Sequence, residues 1–162
     1  PKTPEIILEM SGVLRYMLYE SKEQFVPLKK ELEQLGNFIR LYKLQIEDRG
    51  EVHFDVDKIE GEYKIAPLIL IVFIENAFKH SKSNTSYWIK IGLGLKDDEL
   101  LFQVQNSRGN DNNKQGGIGL ANLKRQLGLL YPNKHQIEID QHQDSFAIDL
   151  KIELDDHPLS YS

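Results

Sequence analysis

The chain has 162 residues, 40% apolar and 28% charged, with a formal net charge of -5, the make-up of one globular domain plus an appendage rather than two full cores. That charge balance gives no ground for nucleic acid as a partner, because phosphate-backbone binding needs clustered Lys and Arg. There is no cysteine, so disulfides and thiolate metal sites are excluded and a reducing cytoplasm suits the chain.

Thr3-Pro4 is a good helix start, and Ile7, Met10, Leu14 and Met17 follow at helical spacing, which predicts a helix over 5–20. Pro27 opens a longer helix. Its apolar positions Leu28, Leu32, Leu35, Ile39, Tyr42 and Ile46 recur at alternating intervals of four and three. That heptad seam fits either packing on the chain's own domain or, the preferred expectation, a helical hairpin or dimer bundle. Arg49-Gly50 ends it, and Val52, Phe54 and Val56 then alternate as a strand does.

The longest apolar run, Ile65 to Ile74, reads as the start of a buried helix and is too short for a bilayer, which takes roughly 20 residues. Two strands follow, one with Ile89, Ile91, Leu93 and Leu95 on a face, the next with Leu100, Phe102 and Val104 after an Asp97-Asp98 turn. Residues 107–116 hold no apolar anchor and read as a loop. A helix over 119–130 stops before Pro132, and a terminal hairpin carries Ile137 and Ile139, then Phe146, Ile148, Leu150, Ile152 and Leu154. The expected fold is α+β: a two-layer α/β sandwich, its sheet covered by helices on one face, preceded by a helical segment. The expected division is 1–50 helical, 51–155 catalytic or binding domain, and 156–162 tail.

The apolar helix changes character at Glu75, Asn76, Lys79 and His80. Glu75 and Lys79, like Asn76 and His80, are four apart, so the four share a polar quadrant at the helix C-terminal end. Dipole complementarity and a Glu75–Lys79 ion pair would explain them without function. In chemical terms, though, an Asn carbonyl suits magnesium, Lys79 and His80 can donate to phosphate oxygens, and Glu75 can take a proton. Further on, Gly116-Gly117-Ile118-Gly119-Leu120-Ala121-Asn122 opens the second helix. Glycines there let backbone N–H groups approach a phosphate, although a hinge would explain them as well.

Together these strings resemble a known family. Pro67 with Glu75-Asn76-Ala77-x-Lys79-His80-Ser81 is similar to the N box of the GHKL, or Bergerat-fold, ATPases, and in particular to histidine kinases of the LytS type. Gly117-x-Gly119-Leu120-x-Asn122 resembles their second glycine box, Leu130-Tyr131-Pro132 fits the LytS branch, and Leu14-Arg15-Tyr16 with Glu31-Leu32 resembles its dimerisation region. The resemblance spans roughly residues 5–154. It implies a Bergerat-type ATP-binding fold with a mixed sheet, and ATP with Mg2+ as ligands. Asn76 would hold magnesium, Lys79 and His80 would contact phosphate, and Glu75 would support phosphoryl transfer. Gly117, Gly119 and Leu120 would form the phosphate end, with 107–116 as the ATP lid. It further implies a homodimer through the N-terminal helices, a response-regulator receiver domain as partner, and the cytoplasmic part of a bacterial membrane protein anchored only by segments upstream of Pro1.

Two departures stand out. Relatives carry Asp-x-Gly-x-Gly at the adenine site, where this chain has Asn106-Ser107-Arg108-Gly109. Asn106 shares parity with Leu100, Phe102 and Val104, so it should point inward and still accept from the adenine amino group, without charge assistance. Residues 1–52 contain no histidine, so the phosphoacceptor is expected upstream of Pro1. The leading expectation is therefore the ATP-binding part of a sensor histidine kinase; the alternatives are a degenerate GHKL-fold scaffold and a hydrolytic relative.

Overall fold

The computed structural model describes residues 24–46, 50–81, 87–108 and 118–154. The helix expected over 5–20, most of the loop 107–116, Gly117 and the tail 156–162 lie outside them.

In chain order the elements are β1 (Val26–Pro27), α1 (Leu28–Ile46), β2 (Gly50–Val56), β3 (Lys64–Ile65), α2 (Ile69–Ser81), β4 (Tyr87–Lys96), β5 (Glu99–Ser107), α3 (Ile118–Leu130), β6 (His135–Gln141) and β7 (Ser145–Glu153). Five strands form one sheet in the order β2-β4-β5-β7-β6, with β2 parallel to β4 and every other pair antiparallel. The parallel pair follows from α2, which carries the chain back across the sheet between β2 and β4. The β4–β5 hairpin turns on Asp97 and Asp98, both with positive φ (53° and 64°); that pair of left-handed residues matches the twist of the flanking strands. β1 and β3 make a separate two-stranded ribbon.

One sheet face is lined by Ile89, Ile91, Leu93, Leu100, Phe102, Val104, Phe146, Ile148, Leu150 and Ile152, all buried. Strict alternation puts them on the same side, and α2 with α3 covers them. α2 is the centre of the core: Ile69, Leu70, Ile71, Phe73, Ile74, Ala77 and Phe78 are all buried. Each of these Ile, Leu and Phe side chains stabilises the fold by about 1.5–3 kcal/mol relative to exposure. The expected α+β sandwich, with helices on one face of a mixed sheet, is what the structure contains.

Two expectations need correcting. Lys64 and Ile65 belong to β3, and α2 begins only at Ile69. The intervening Pro67-Leu68 turn puts Leu68 at φ 67°, a left-handed conformation that no helix interior tolerates. The second correction concerns the heptad seam. Leu28, Leu35 and Ile39 are buried in the same core as α2, with Leu32 and Tyr42 packed against it. Helix α1 therefore docks along its own domain, and its periodicity recorded a partner helix within the chain. Glu31, fully buried on α1, accepts a hydrogen bond from the Leu68 N–H (3.1 Å), and Leu28 N–H donates to the Tyr63 carbonyl (2.8 Å). These contacts tie α1 to the residues that lead into α2.

Candidate functional site

The polar quadrant is built on the most deeply packed helix of the protein. Three turns of α2 bury apolar side chains, and its polar positions are Glu75 and Lys79, both exposed, and Asn76 and His80, both half-buried as Val72 is. Among the described residues Glu75 and Lys79 form no ion pair with each other, so a mutual salt bridge does not account for their placement. Lys79 and His80 occupy the last turn, where the helix dipole favours cations. His80 nevertheless has its pKa lowered, first by burial and then by the positive charges of Lys79 and Arg108. Its imidazole is thus held neutral at pH 7, with one ring nitrogen able to donate and the other to accept.

The end of β5 meets this helix end directly. Ser81 Oγ donates to the Ser107 carbonyl (3.2 Å), and the Asn106 amide nitrogen donates to the same oxygen (2.8 Å). Asn106 is 1% exposed, pointing inward as its parity required. With its nitrogen committed to Ser107, the side chain offers its oxygen as the remaining polar atom, an acceptor suited to an amino group. Ser107 Oγ in turn accepts from the Trp88 N–H (3.1 Å), locking β5 to β4 at this point. Leu120, 8% exposed, packs into the core from the first turn of α3, and Gly119 lies beside it in that helix.

Two contributors were not visible from sequence. Arg108 stands at the first glycine of the motif to which Asn106 is matched. Its N–H donates to the Asp144 carbonyl (2.9 Å) and its Nη1 to the His142 carbonyl (2.7 Å), so it straps the β5 end to the β6–β7 turn. Gln141 can turn its amide oxygen toward the same guanidinium, 3.1 and 3.2 Å away. Tyr42 is the other. Only the general rule that charged residues near a phosphate-type helix end matter could have flagged Arg108, because its partners are over thirty positions away.

The other described histidines are peripheral: His53 beside Glu51 (3.5 Å), His142 beside Asp140 (3.0 Å), and His135 Nδ1 against the Tyr131 carbonyl (2.8 Å). A concavity of about 510 Å3 opens on the opposite, uncovered sheet face, lined by Asp55, Asp57, Gly92, Gly94, Gln103 and Lys151 among others. It exists because two glycines on β4 leave that face bare, and it shares no residue with the quadrant. Chemistry is therefore the better guide to the site than hollowness. Among the described residues no group of three or more His, Asp or Glu side chains could cage a metal. Magnesium shared with phosphates takes few protein ligands, so the half-buried carboxamide of Asn76, on the same helix end as two side chains able to donate to phosphate, would fit that role.

Three comparisons with known proteins find likeness to histidine kinases, in sequence and in fold. The family model described as Histidine kinase matches residues 1–50. The sensor protein LytS of Staphylococcus epidermidis is 23% identical over 91% of this chain and 28% of its own length. The LytS of Enterococcus faecalis is 24% identical over 80% of this chain and 25% of its own length. A sensor histidine kinase/phosphatase LytS of Staphylococcus aureus is 29% identical over 78% of this chain and 22% of its own. The chain thus spans about a quarter of the length of these curated relatives. In fold, the catalytic domain of histidine kinase ThkA superposes with a TM-score of 0.54 at 16% identity, covering 81% of this chain and 96% of that domain. The histidine kinase AdeS of Acinetobacter baumannii gives 0.59 at 16% identity over 92% of this chain and 75% of that one. In sequence the chain is similar to LytS-type sensor histidine kinases, and its fold is that of histidine kinase catalytic domains.

Proposed function

We propose that this chain is the ATP-binding catalytic part of a LytS-type sensor histidine kinase. It moves the γ-phosphoryl of Mg-ATP to a histidine encoded upstream of Pro1, and from there the group passes to an aspartate of a response-regulator receiver domain. The observation that supports this best is convergence: the Asn76–His80 side of α2 and the inward Asn106 of β5 are joined at one point through the Ser81–Ser107 hydrogen bond.

In this reading Asn106 Oδ1 accepts from the adenine amino group, and Lys79 and His80 donate to phosphate oxygens. Asn76 would hold magnesium through its side-chain oxygen, and the ion would supply charge neutralisation for phosphoryl transfer. Glu75, exposed on the outer side of the quadrant, stands where an incoming acceptor imidazole would meet it. Gly119 and, by the resemblance, Gly117 serve the phosphate end. Little covalent chemistry is asked of the protein; positioning and charge carry the rate. The active species is a homodimer joined through helices N-terminal to α1, on the inner side of a membrane that upstream segments span. Among the described residues no helix is long and apolar enough to cross a membrane.

Calorimetry of the chain with Mg-ATP tests the reading. Asn76→Ala is expected to weaken binding at least tenfold, and unchanged affinity would overturn the assignment. A second reading, a degenerate GHKL-fold scaffold, has its own motivation in Asn106 and Arg108 standing where the family pattern has Asp and Gly. Failure of the wild-type chain to bind any adenine nucleotide at millimolar concentration with magnesium would establish it.

A further inference from the structure

Helix α1 does more than fill a groove. Near its C-terminal end Tyr42 stacks on Phe78 of α2, ring centroids 4.4 Å apart and planes inclined by 17°. Phe38, one turn earlier on α1, also contacts the Tyr42 ring, centroids 4.9 Å apart and planes inclined by 56°. The phenol thus touches two rings, the stacked one almost fully buried (Phe78, 1% exposed). Phe78 lies three residues after Glu75, and residues three apart are neighbours on a helix surface. Tyr42 accordingly borders the turn from which Glu75 projects. The electrostatics agree: the phenol's pKa is raised, first by burial and second by the negative charge of Glu75. Among the described residues Glu75 has no ion-pair partner to fix its direction.

We propose that Tyr42 is a positioning residue for Glu75: the ring stacked on Phe78 walls one side of the carboxylate, and its hydroxyl restricts where the carboxylate points. This rests on the kinase reading above and extends it, because Tyr42 belongs to α1 and touches neither nucleotide nor magnesium. A freely rotating glutamate spends most of its time off the acceptor's line of approach. Confining it on one side raises the fraction of productive encounters without changing how ATP binds. The same contact makes the catalytic helix sensitive to α1. At one end α1 holds the entry to α2 through Glu31 and Leu68, and at the other it holds the Glu75 turn through Tyr42.

The test uses the full-length protein, which carries the acceptor histidine, and measures initial rates of autophosphorylation from radiolabelled Mg-ATP. Tyr42→Phe keeps the stack and removes only the hydroxyl, so the fold is retained. It is expected to slow phosphorylation about three- to tenfold while KM for ATP stays within about twofold. Tyr42→Leu, with rates normalised to nucleotide-binding protein, is expected to lose more. The discriminating measurement is a double-mutant cycle with Glu75→Gln: if Tyr42 acts through Glu75, Tyr42→Phe has no further effect in the Glu75→Gln background. Loss of the same factor in both backgrounds, or a Tyr42→Phe rate equal to wild type, overturns the proposal. Should Glu75→Gln alone leave the rate untouched, the role of Glu75 itself falls, a failure distinct from that of Tyr42.

Discussion

At the α2 end of the site, four polar side chains project from a helix whose other sides are buried, and none of the four is tied up in an ion pair with another. At the β5 end, a single buried carboxamide offers one oxygen, and the arginine next to it is strapped to the β6–β7 turn. The first end is rich in charge and keeps every residue type its family pattern calls for. The second is neutral where that pattern is anionic. Such a site draws its affinity from phosphate and metal and uses the base end mainly for orientation. A hydrogen bond to a charged group contributes about 1.5–3 kcal/mol, against roughly 0.5–1.5 for a neutral pair.

That contrast can be broken by substitution. The largest effect is expected at the phosphate end: Lys79→Ala should weaken Mg-ATP binding by about ten- to a hundredfold, read by calorimetry. Asn106→Asp, which restores the family's carboxylate, should separate affinity from stability. Charge assistance would tighten ATP binding by about fivefold, the equivalent of roughly 1 kcal/mol. The same change replaces the donor that now faces the Ser107 carbonyl at 2.8 Å with an acceptor. Stability in urea should fall by about 1–3 kcal/mol as that buried hydrogen bond is lost. If the variant is as stable as wild type, the amide is not held by Ser107.

A smaller effect comes from pH. His80 has a folded-state pKa below its usual 6.5, through burial and two neighbouring cations. A lowered pKa means that the unfolded chain binds the proton more readily. The stability His80 contributes is therefore present above pH 6.5 and is lost as pH falls through its lowered value. Phosphate binding has the opposite sign, since an anion favours the imidazolium. ATP binding below pH 6.5 should take up a proton, measurable as a buffer-dependent calorimetric enthalpy that His80→Gln removes. The smallest effect is expected on the uncovered sheet face. A Cβ at Gly94 would sit 2.6 Å from the Asp57 carboxylate, the far end of an exposed side chain that can swing away. Gly94→Ala should leave ATP affinity within about twofold, as additivity across well-separated sites requires.

Much of this arrangement was legible from residue order. The alternation of Ile89, Ile91 and Leu93, or of Phe146, Ile148 and Leu150, can only be a one-sided sheet. The parity of Asn106 fixed its inward direction before any coordinates did. What periodicity cannot convey is the identity of a partner. The seam on α1 announced a helix packed lengthwise against it, and that helix proved to be the chain's own α2. The Pro67-Leu68 turn was hidden because apolar composition continues through it while the backbone reverses hand. Arg108 and Tyr42 were invisible for a related reason: their roles exist only through contacts with residues 34 and 36 positions away, His142 and Phe78.

The central claim, that the phosphate end carries the affinity and the base end does not, can be tested on the wild-type chain with four ligands. Calorimetric titration with ATP, ADP, AMP and adenosine at constant magnesium should show affinity falling steeply as phosphates are removed, with adenosine binding too weakly to measure at millimolar concentration. Adenosine binding within about tenfold of ATP, a difference of only about 1.4 kcal/mol, would contradict it and place the recognition at Asn106.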